Sequence, residues 1–174
     1  MKPSDWIFAS FMGLAVALPM SAAPKASTAD SRVQVEFISP EKFTDLKADA
    51  SGTRKGRESY LEQLKGYLIL QAASQLPRGQ RLSVSITHVD MAGDFEPWRR
   101  QSLTNVRVLR DQYPPRIDLS FKITDAKGKV IRQGSRGLKN LSFMRDAAIN
   151  RQDPLRHEKK LLDDWIRRDL AGKN

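Results

Sequence analysis

RLSVSITHVD, residues 81–90, is the stretch that most directly predicts the fold. Its apolar side chains, Leu82, Val84 and Ile86, alternate with serine and threonine residues. Alternation with a period of two is the pattern of a β-strand with one buried and one exposed face. Because the exposed positions are polar and uncharged, we expect this strand to lie in a sheet that is covered on one side only.

The segments on either side of this strand predict further elements. Leu61, Leu64, Leu68 and Ala72 recur at helical spacing, which indicates an amphipathic helix that ends before a proline. The residues of 125–128 have the composition of a hairpin turn between two alternating segments. The predicted elements, in chain order, are a strand over 33–37, a helix over 60–76, strands over 82–87, 105–111, 117–123 and 130–137, and a helix over 154–171.

This order, β-α-β-β-β-β-α, predicts an α+β fold. We expect a two-layer sandwich in which a mainly antiparallel sheet of about four or five strands carries two helices on one face. Residues 47–57 are rich in glycine, serine and charge, and they predict a loop in which Ser51 or Thr53 helps to start the first helix. Asp153 is the expected N-cap of the last helix, with Pro154 next to it.

The N-terminus has the pattern of a secretory signal peptide over residues 1–23. Lys2 precedes a mostly apolar run over 6–18, and small residues follow that run. The run is shorter than the roughly 20 residues that a membrane-spanning helix needs. We therefore expect export and cleavage, with the cut somewhere between Ser21 and Ala26.

The sequence contains no cysteine, which excludes several classes of exported protein. It has no lipid-anchoring cysteine of a bacterial lipoprotein, no disulfide and no thiolate metal site. The polar residues 24–32 predict a flexible mature N-terminus. Residues 33–171 are numerous enough to form a single globular domain around its own core.

The net charge of +10 favours an anionic partner. The charge survives removal of the signal peptide because Lys2 and Asp5 cancel. For an exported protein the expected partner is an anionic envelope component or an acidic protein, and nucleic acid is not expected. Peripheral contact with a membrane surface is compatible with this charge. The sequence does not specify an oligomeric state. The alternative explanation is that the surplus lysine and arginine only keep the protein soluble.

Two groups of side chains are candidates to bind such a partner. Trp98, Arg99 and Arg100 lie outside any periodic element, and tryptophan and arginine are enriched at binding hot spots. Arginines on the later strands form the second group, in which Arg132 and Arg136 are predicted to make a basic stripe on the open face of the sheet. The alternatives are that the tryptophan covers the sheet edge and that the arginines are simply solvated. The candidate binding residues are Trp98, Arg99, Arg100, Arg107, Arg110, Arg116, Arg132 and Arg136.

No motif in the sequence predicts a catalytic residue, a metal site or a cofactor. Glycine-rich phosphate loops, a serine nucleophile elbow and paired histidines are all absent. His88 is expected at the end of a strand in a half-buried position, and His157 lies among cations that lower its pKa. Asp90 and Asp94 flank a glycine turn, where carboxylates usually cap backbone amides. Acid–base chemistry or calcium binding is the functional alternative for that pair.

Four blocks of the sequence share a pattern with a known family. They are Val33-x-Val35-x-Phe37-x-x-Pro40-x-x-Phe43-Thr44-Asp45, residues 89–95 (VDMAGDF), residues 113–117 (YPPRI) and residues 158–165 (EKKLLDDW). Through these blocks, from about Val33 to Arg168, the chain resembles an uncharacterised family of exported proteins of Gram-negative bacteria, known as domain of unknown function 3016. The resemblance implies a periplasmic location, and it implies no activity, catalytic residue or cofactor.

The leading interpretation is a periplasmic, non-catalytic binding or envelope-accessory module that presents a basic face to an anionic partner. One alternative is an unrecognised hydrolase or lyase centred on Asp90 and Asp94. Another is a structural subunit that pairs through an exposed strand edge, such as residues 130–137.

Overall fold

A computed structural model describes residues 32–47, 52–96, 98, 105–146 and 152–171. The predicted signal peptide and the predicted flexible segment, as far as residue 31, lie outside the described residues. Within the described ranges, no helix is both long enough and apolar enough to cross a membrane.

A four-stranded sheet forms one layer of the molecule. Its first two strands in space are β1 (Val33–Phe37) and β2 (Arg81–Asp90), which run parallel. A parallel pair needs a long crossover connection, and the first helix lies within it. The sheet continues with β5 (Arg116–Thr124) and β6 (Val130–Lys139), and each of these pairs antiparallel with the strand before it.

The shorter strands between β2 and β5 form a separate ribbon. In this ribbon β3 (Asp94–Phe95) pairs antiparallel with β4 (Arg107–Val108). The strand predicted over 105–111 is therefore reduced to two paired residues. Besides these two pairs of residues, hydrogen bonds of the Arg107 side chain hold this part of the chain in place.

Two helices cover one face of the sheet. Helix α1 (Arg54–Gln75) contacts β1, and helix α2 (Arg156–Asp169) contacts β5, β6 and α1. Trp165 of α2 is fully buried, and its ring lies 5.6 Å from the Phe121 ring in an edge-to-face arrangement. The predicted α+β fold, with its element order and its two helices on one face, is confirmed.

The alternating stretch of β2 behaves as its pattern predicts. Leu82, Val84 and Ile86 are buried beneath the helices, and Ser83 and Ser85 between them are partly exposed on the other face. That face carries no helix among the described residues. The sheet therefore has one covered and one open side.

Helix α1 begins earlier than predicted, at Arg54 instead of Tyr60. Thr53 is its N-cap, since the Gly56 amide donates a hydrogen bond to the Thr53 hydroxyl oxygen at 3.2 Å. The first turns of the helix are polar and mostly exposed, so no apolar periodicity marks them in the sequence.

Helix α2 begins at Arg156, later than predicted. The Leu155 amide donates to a carboxylate oxygen of Asp153 at 2.9 Å. Asp153 therefore fixes the turn before the helix, and Leu155 occupies the N-cap position instead. The carboxylate also accepts a hydrogen bond from the Lys159 ammonium group at 2.6 Å, which ties the turn to the helix.

Candidate functional site

A cleft of about 500 Å³ opens at the end of the sheet where β2 finishes and β5 starts. A volume of this size is typical of sites for small molecules. Most of the side chains that line it are polar or charged. They include Thr44, Asp45, Lys47, Asp90, Asp94, Gln112, Tyr113, Arg116 and Lys139.

Strand register places four of these charges in one row. Asp45 forms an isolated parallel bridge with Asp90 at the end of β2. Asp90 is paired with Arg116 on β5, and Arg116 is paired with Lys139 on β6. The row therefore has two acids at one end and two cations at the other.

Arg107 holds the acidic end of the row from behind. Its Nη1 lies 2.5 Å from the Asp45 carboxylate and donates to the Gly93 carbonyl at 2.8 Å, while its Nη2 donates to the Lys47 carbonyl at 3.1 Å. The guanidinium carbon lies 4.6 Å from the centre of the Phe95 ring. Because only 16% of the side chain is exposed, Arg107 has a structural role here.

The pKa of Asp90 is raised above its ordinary value by burial and by the neighbouring carboxylate of Asp45, with Asp94 adding to the effect. His88 and Arg107 oppose the rise. The Asp90 carboxylate makes no hydrogen bond within the described part of the chain. It is thus a half-buried acid whose charge is poorly compensated by the protein itself.

Gly93 allows the cleft wall to form. Its φ is +78°, and a Cβ atom at this position would lie 2.6 Å from the Val108 carbonyl oxygen. Any other residue would therefore be strained and would also collide with the β4 backbone. The Gly93 amide donates to the Tyr113 carbonyl at 3.0 Å, which closes the loop over the start of β5.

Glu158 supports the same loop from below. It lies in the first turn of α2, is 0% exposed, and accepts a hydrogen bond from the Ala92 amide at 2.7 Å. Its second carboxylate oxygen has no hydrogen-bond partner. Burial raises the pKa of Glu158 to about 7, although the Ala92 amide and Arg107 act in the opposite direction.

The structure brings Arg116 to the cleft and places the neighbouring predicted arginines elsewhere. Arg116 is 53% exposed and makes two hydrogen bonds to the Asp118 carboxylate, at 2.8 and 3.2 Å. Arg110 forms an ion pair at 3.3 Å with Glu96, which is almost fully buried. Arg107 is the internal clamp described above.

Arg132 and Arg136 do not lie on the open face, so their predicted placement is wrong. Both share the face of Leu138, which is buried on the helix-covered side. Arg132 donates to the backbone carbonyl of Asp169 at 2.5 Å, and Arg136 binds the Asp169 carboxylate at 2.7 and 3.1 Å. The two arginines stabilise the C-terminal end of α2, where cations are favoured.

The tryptophan loop is described only at Trp98, whose side chain is 72% exposed. The alternative in which this ring covers the sheet edge is therefore wrong. Arg99 and Arg100 lie outside the described residues.

Sequence reasoning missed three contributors to the cleft, namely Asp45, Lys139 and Glu158. Asp45 and Glu158 belong to the blocks that carry the family resemblance, yet neither stands in a recognisable motif. Lys139 follows Leu138 directly, so its place on the opposite face could have been found from strand alternation.

His157 has the lowered pKa that its sequence predicts, although burial is the main cause and Arg156 the second. Its ring packs edge-on against Phe143, with 5.0 Å between the ring centres. Across the described ranges, no group of three or more histidine, aspartate or glutamate side chains is arranged to hold a metal ion.

Comparisons with known proteins identify a family and no activity. The model of the family described as "Protein of unknown function (DUF3016)" matches residues 31–168. No curated protein matches the chain. A crystal structure of a minor lipoprotein from Acinetobacter baumannii is similar with 16% sequence identity and a TM-score of 0.26, over 80% of this chain and 89% of that chain.

Arg107→Ala is expected to lower the free energy of unfolding by about 3–5 kcal/mol, because it leaves the buried Asp45 carboxylate without its partner. Arg116→Ala removes an exposed pair with Asp118 and is expected to cost much less, because solvent screens exposed ion pairs. Urea unfolding of both variants checks this. Equal losses would contradict the structural role of Arg107.

Stability is expected to fall as the pH rises between 4.5, the ordinary pKa of a glutamate, and about 7, the pKa of Glu158. The folded protein holds this proton more tightly than the unfolded chain does, so deprotonation of Glu158 favours unfolding. The full loss is on the order of 3 kcal/mol.

Glu158→Gln is expected to remove most of that slope in urea unfolding across this pH window. The pKa of Asp90 is also raised, so its deprotonation lowers the stability as well. The difference in slope between the wild type and the variant therefore isolates the contribution of Glu158. Glu62→Gln, on the exposed side of α1, is the matched control. A slope that persists in Glu158→Gln would show that another group carries it.

Proposed function

We propose that this chain, which belongs to the family described as protein of unknown function (DUF3016), is an exported binding module for an anionic envelope component and performs no catalysis of its own. Export rests on the predicted signal peptide, and the preference for an anion rests on the net charge of +10. Through the family resemblance, the proposed location is the periplasm.

Two exposed cations at the cleft carry this proposal. Lys139 makes no hydrogen bond or ion pair with any described residue. Arg116 beside it has half of its side chain open to solvent, and its guanidinium group offers more donors than Asp118 occupies. An anion seated against these two side chains would receive charge-assisted hydrogen bonds, which are among the stronger polar contacts.

The other predicted arginines contribute less to binding under this proposal. Arg107, Arg110, Arg132 and Arg136 already have acceptors within the protein. They add to the positive field around the molecule, which acts over about one Debye length, or about 10 Å at 0.1 M salt. The field steers an anion towards the protein, and the free lysine at the cleft gives it a place to bind.

The proposal predicts that an envelope component binds the mature protein at low salt and dissociates at high salt. A pull-down from envelope extract at the two salt concentrations checks this. We expect the double variant Arg116→Glu with Lys139→Glu to weaken binding by roughly tenfold or more, because two attractive charges become repulsive. The extract contains lipids, cell-wall fragments and proteins, so the bound component is identified by its mass.

The matched control is Lys127→Glu with Lys129→Glu. These lysines lie at the hairpin turn at the opposite end of the sheet, and this variant has the same change in net charge. If both double variants lose binding equally, the net charge and not the cleft is responsible. Binding that resists high salt in all variants would overturn an electrostatic mode of binding.

Asp90 supports a second candidate function, an acid–base hydrolase or lyase. A carboxylate with a raised pKa in a cleft is a typical feature of a general acid or base. Asp94 is next to it in the cleft, although one of its oxygens accepts a hydrogen bond from the Phe95 amide at 2.7 Å. The predicted capping role therefore describes Asp94 better than Asp90.

If the second candidate is correct, turnover of envelope-derived esters or glycosides is expected to fall by at least about 100-fold in Asp90→Asn, since general acid–base catalysis contributes on that order. The fold is expected to survive, because the substitution removes repulsion between carboxylates. Activity that is unchanged in Asp90→Asn, or absent from the wild type, would leave the binding module as the function.

A further inference from the structure

The cleft contains a buried carboxylate oxygen that accepts no hydrogen bond from the described residues. Asp45 is only 6% exposed, and its Oδ2 is held by Arg107. Its Oδ1 accepts no hydrogen bond, and the Lys47 ammonium group lies 3.7 Å from it, at ion-pair distance. A buried polar atom without a hydrogen-bond partner is unfavourable, so this oxygen points to a donor that arrives from outside.

The neighbouring acid, Asp90, is half-buried and also accepts no hydrogen bond from the described residues. Arg116 is the direct cross-strand neighbour of Asp90, yet its guanidinium group turns along its own strand to Asp118. Asp94, in the same cleft, accepts only the amide of the next residue. Three carboxylates therefore line one cleft, and two cations, Arg107 and Lys47, lie at ion-pair distance from Asp45.

Arg116 and Lys139 occupy the other side of the same cleft, whereas Lys47 lies beside Asp45. Neighbouring strands in a sheet are about 5 Å apart, so Arg116 is one strand spacing from Asp90 and Lys139 is two, or about 10 Å. Negative and positive charge are thus separated along the cleft by roughly the length of a small molecule.

We propose that the cleft recognises a zwitterionic group, with a primary ammonium seated among Asp45, Asp90 and Asp94 and an adjacent carboxylate or phosphate held by Arg116 and Lys139. This inference rests on the proposed function and specifies the ligand class of the same site. The ammonium supplies the missing donor to Asp45 and a counter-charge to Asp90.

Ligands with one kind of charge fit this arrangement less well. A simple anion bound at Lys139 would leave the Asp45 oxygen unpaired and would face the repulsion of Asp90. A simple cation among the carboxylates would leave Lys139 without an acceptor among the described residues. The three carboxylates also lack an arrangement that could hold a metal ion. A zwitterion satisfies both ends of the cleft at once.

Such a group occurs in α-amino acids and peptide termini and in the phosphoethanolamine headgroup of lipids. Calorimetric titration of the mature protein with alanine, N-acetylalanine and alanine methyl ester tests the first source, since the derivatives remove one charge each. Phosphoethanolamine, with ethanolamine and inorganic phosphate as its single-group controls, tests the second. We expect at least one zwitterion to bind about tenfold or more tightly than either of its controls.

Variants assign the two ends of the ligand. Asp90→Asn is expected to abolish the advantage of the zwitterion over the analogue without an ammonium group. The double variant Arg116→Gln with Lys139→Gln is expected to abolish its advantage over the analogue without an anion. Glu62→Gln and Lys127→Gln, both on exposed surfaces away from the cleft, are expected to change neither.

The outcomes separate this inference from the function on which it rests. If the anion-only analogues bind as tightly as the zwitterions and Asp90→Asn has no effect, the zwitterion site is wrong while the anion-binding module stands. If none of the six compounds binds, the zwitterion site is also wrong. The salt-dependent pull-down then decides the broader proposal separately.

Discussion

The buried ion pair between Arg107 and Asp45 is the interaction on which the end of the sheet depends. It joins side chains that are 62 positions apart in the chain, and it ties β4 to the segment that follows β1. The same guanidinium group holds the Gly93 carbonyl, and thereby the loop between β2 and β3. A pair of this kind adds little net stability compared with apolar packing, but losing one partner is costly. The main effect of this ion pair is to fix the positions of Asp45 and of the loop around Gly93, which line the cleft.

Because Arg107 pairs with Asp45, the two neighbouring acids Asp45 and Asp90 are unequally paired with cations. Arg107 binds the Asp45 carboxylate through Nη1, and its other hydrogen bonds go to the backbone carbonyls of Gly93 and Lys47. It makes no hydrogen bond to Asp90. Burial and the neighbouring Asp45 carboxylate keep the pKa of Asp90 raised, although His88 and Arg107 oppose the rise. Glu158, which supports the loop from the helix side, adds a second acid whose burial opposes ionisation. An incompletely paired acid costs stability, and this cost at Asp45 and Asp90 is the physical basis for the proposed ligand site.

Local patterns predicted the elements well and the charged site poorly. The alternating apolar residues of β2 and the apolar stripe of α1 are the residues that pack between helix and sheet, so both elements and their buried faces could be predicted. The face of Arg132 and Arg136 could also have been predicted, since Leu138 has the same parity and its burial places all three beneath α2. The role of Arg107 could not, because a two-residue strand has no useful periodicity and its partner lies far away in sequence. Pairing between distant charges is set by tertiary structure, and no spacing in the chain records it.

The placement of charge also bears on whether the sheet edge pairs with a second copy. β6 is an edge strand, and Val130 and Ile131 are exposed on it, which is the kind of surface that invites strand pairing. Arg132, Arg136 and Lys139 are distributed along the same strand. Arg132 and Arg136 are bound to Asp169, so Lys139 is the cation of this strand without an acceptor among the described residues, and like charges that face each other across a strand pair are destabilising. A high net positive charge favours an anionic partner and opposes pairing of two like-charged copies, and we therefore prefer the proposed binding module to a subunit that pairs with itself.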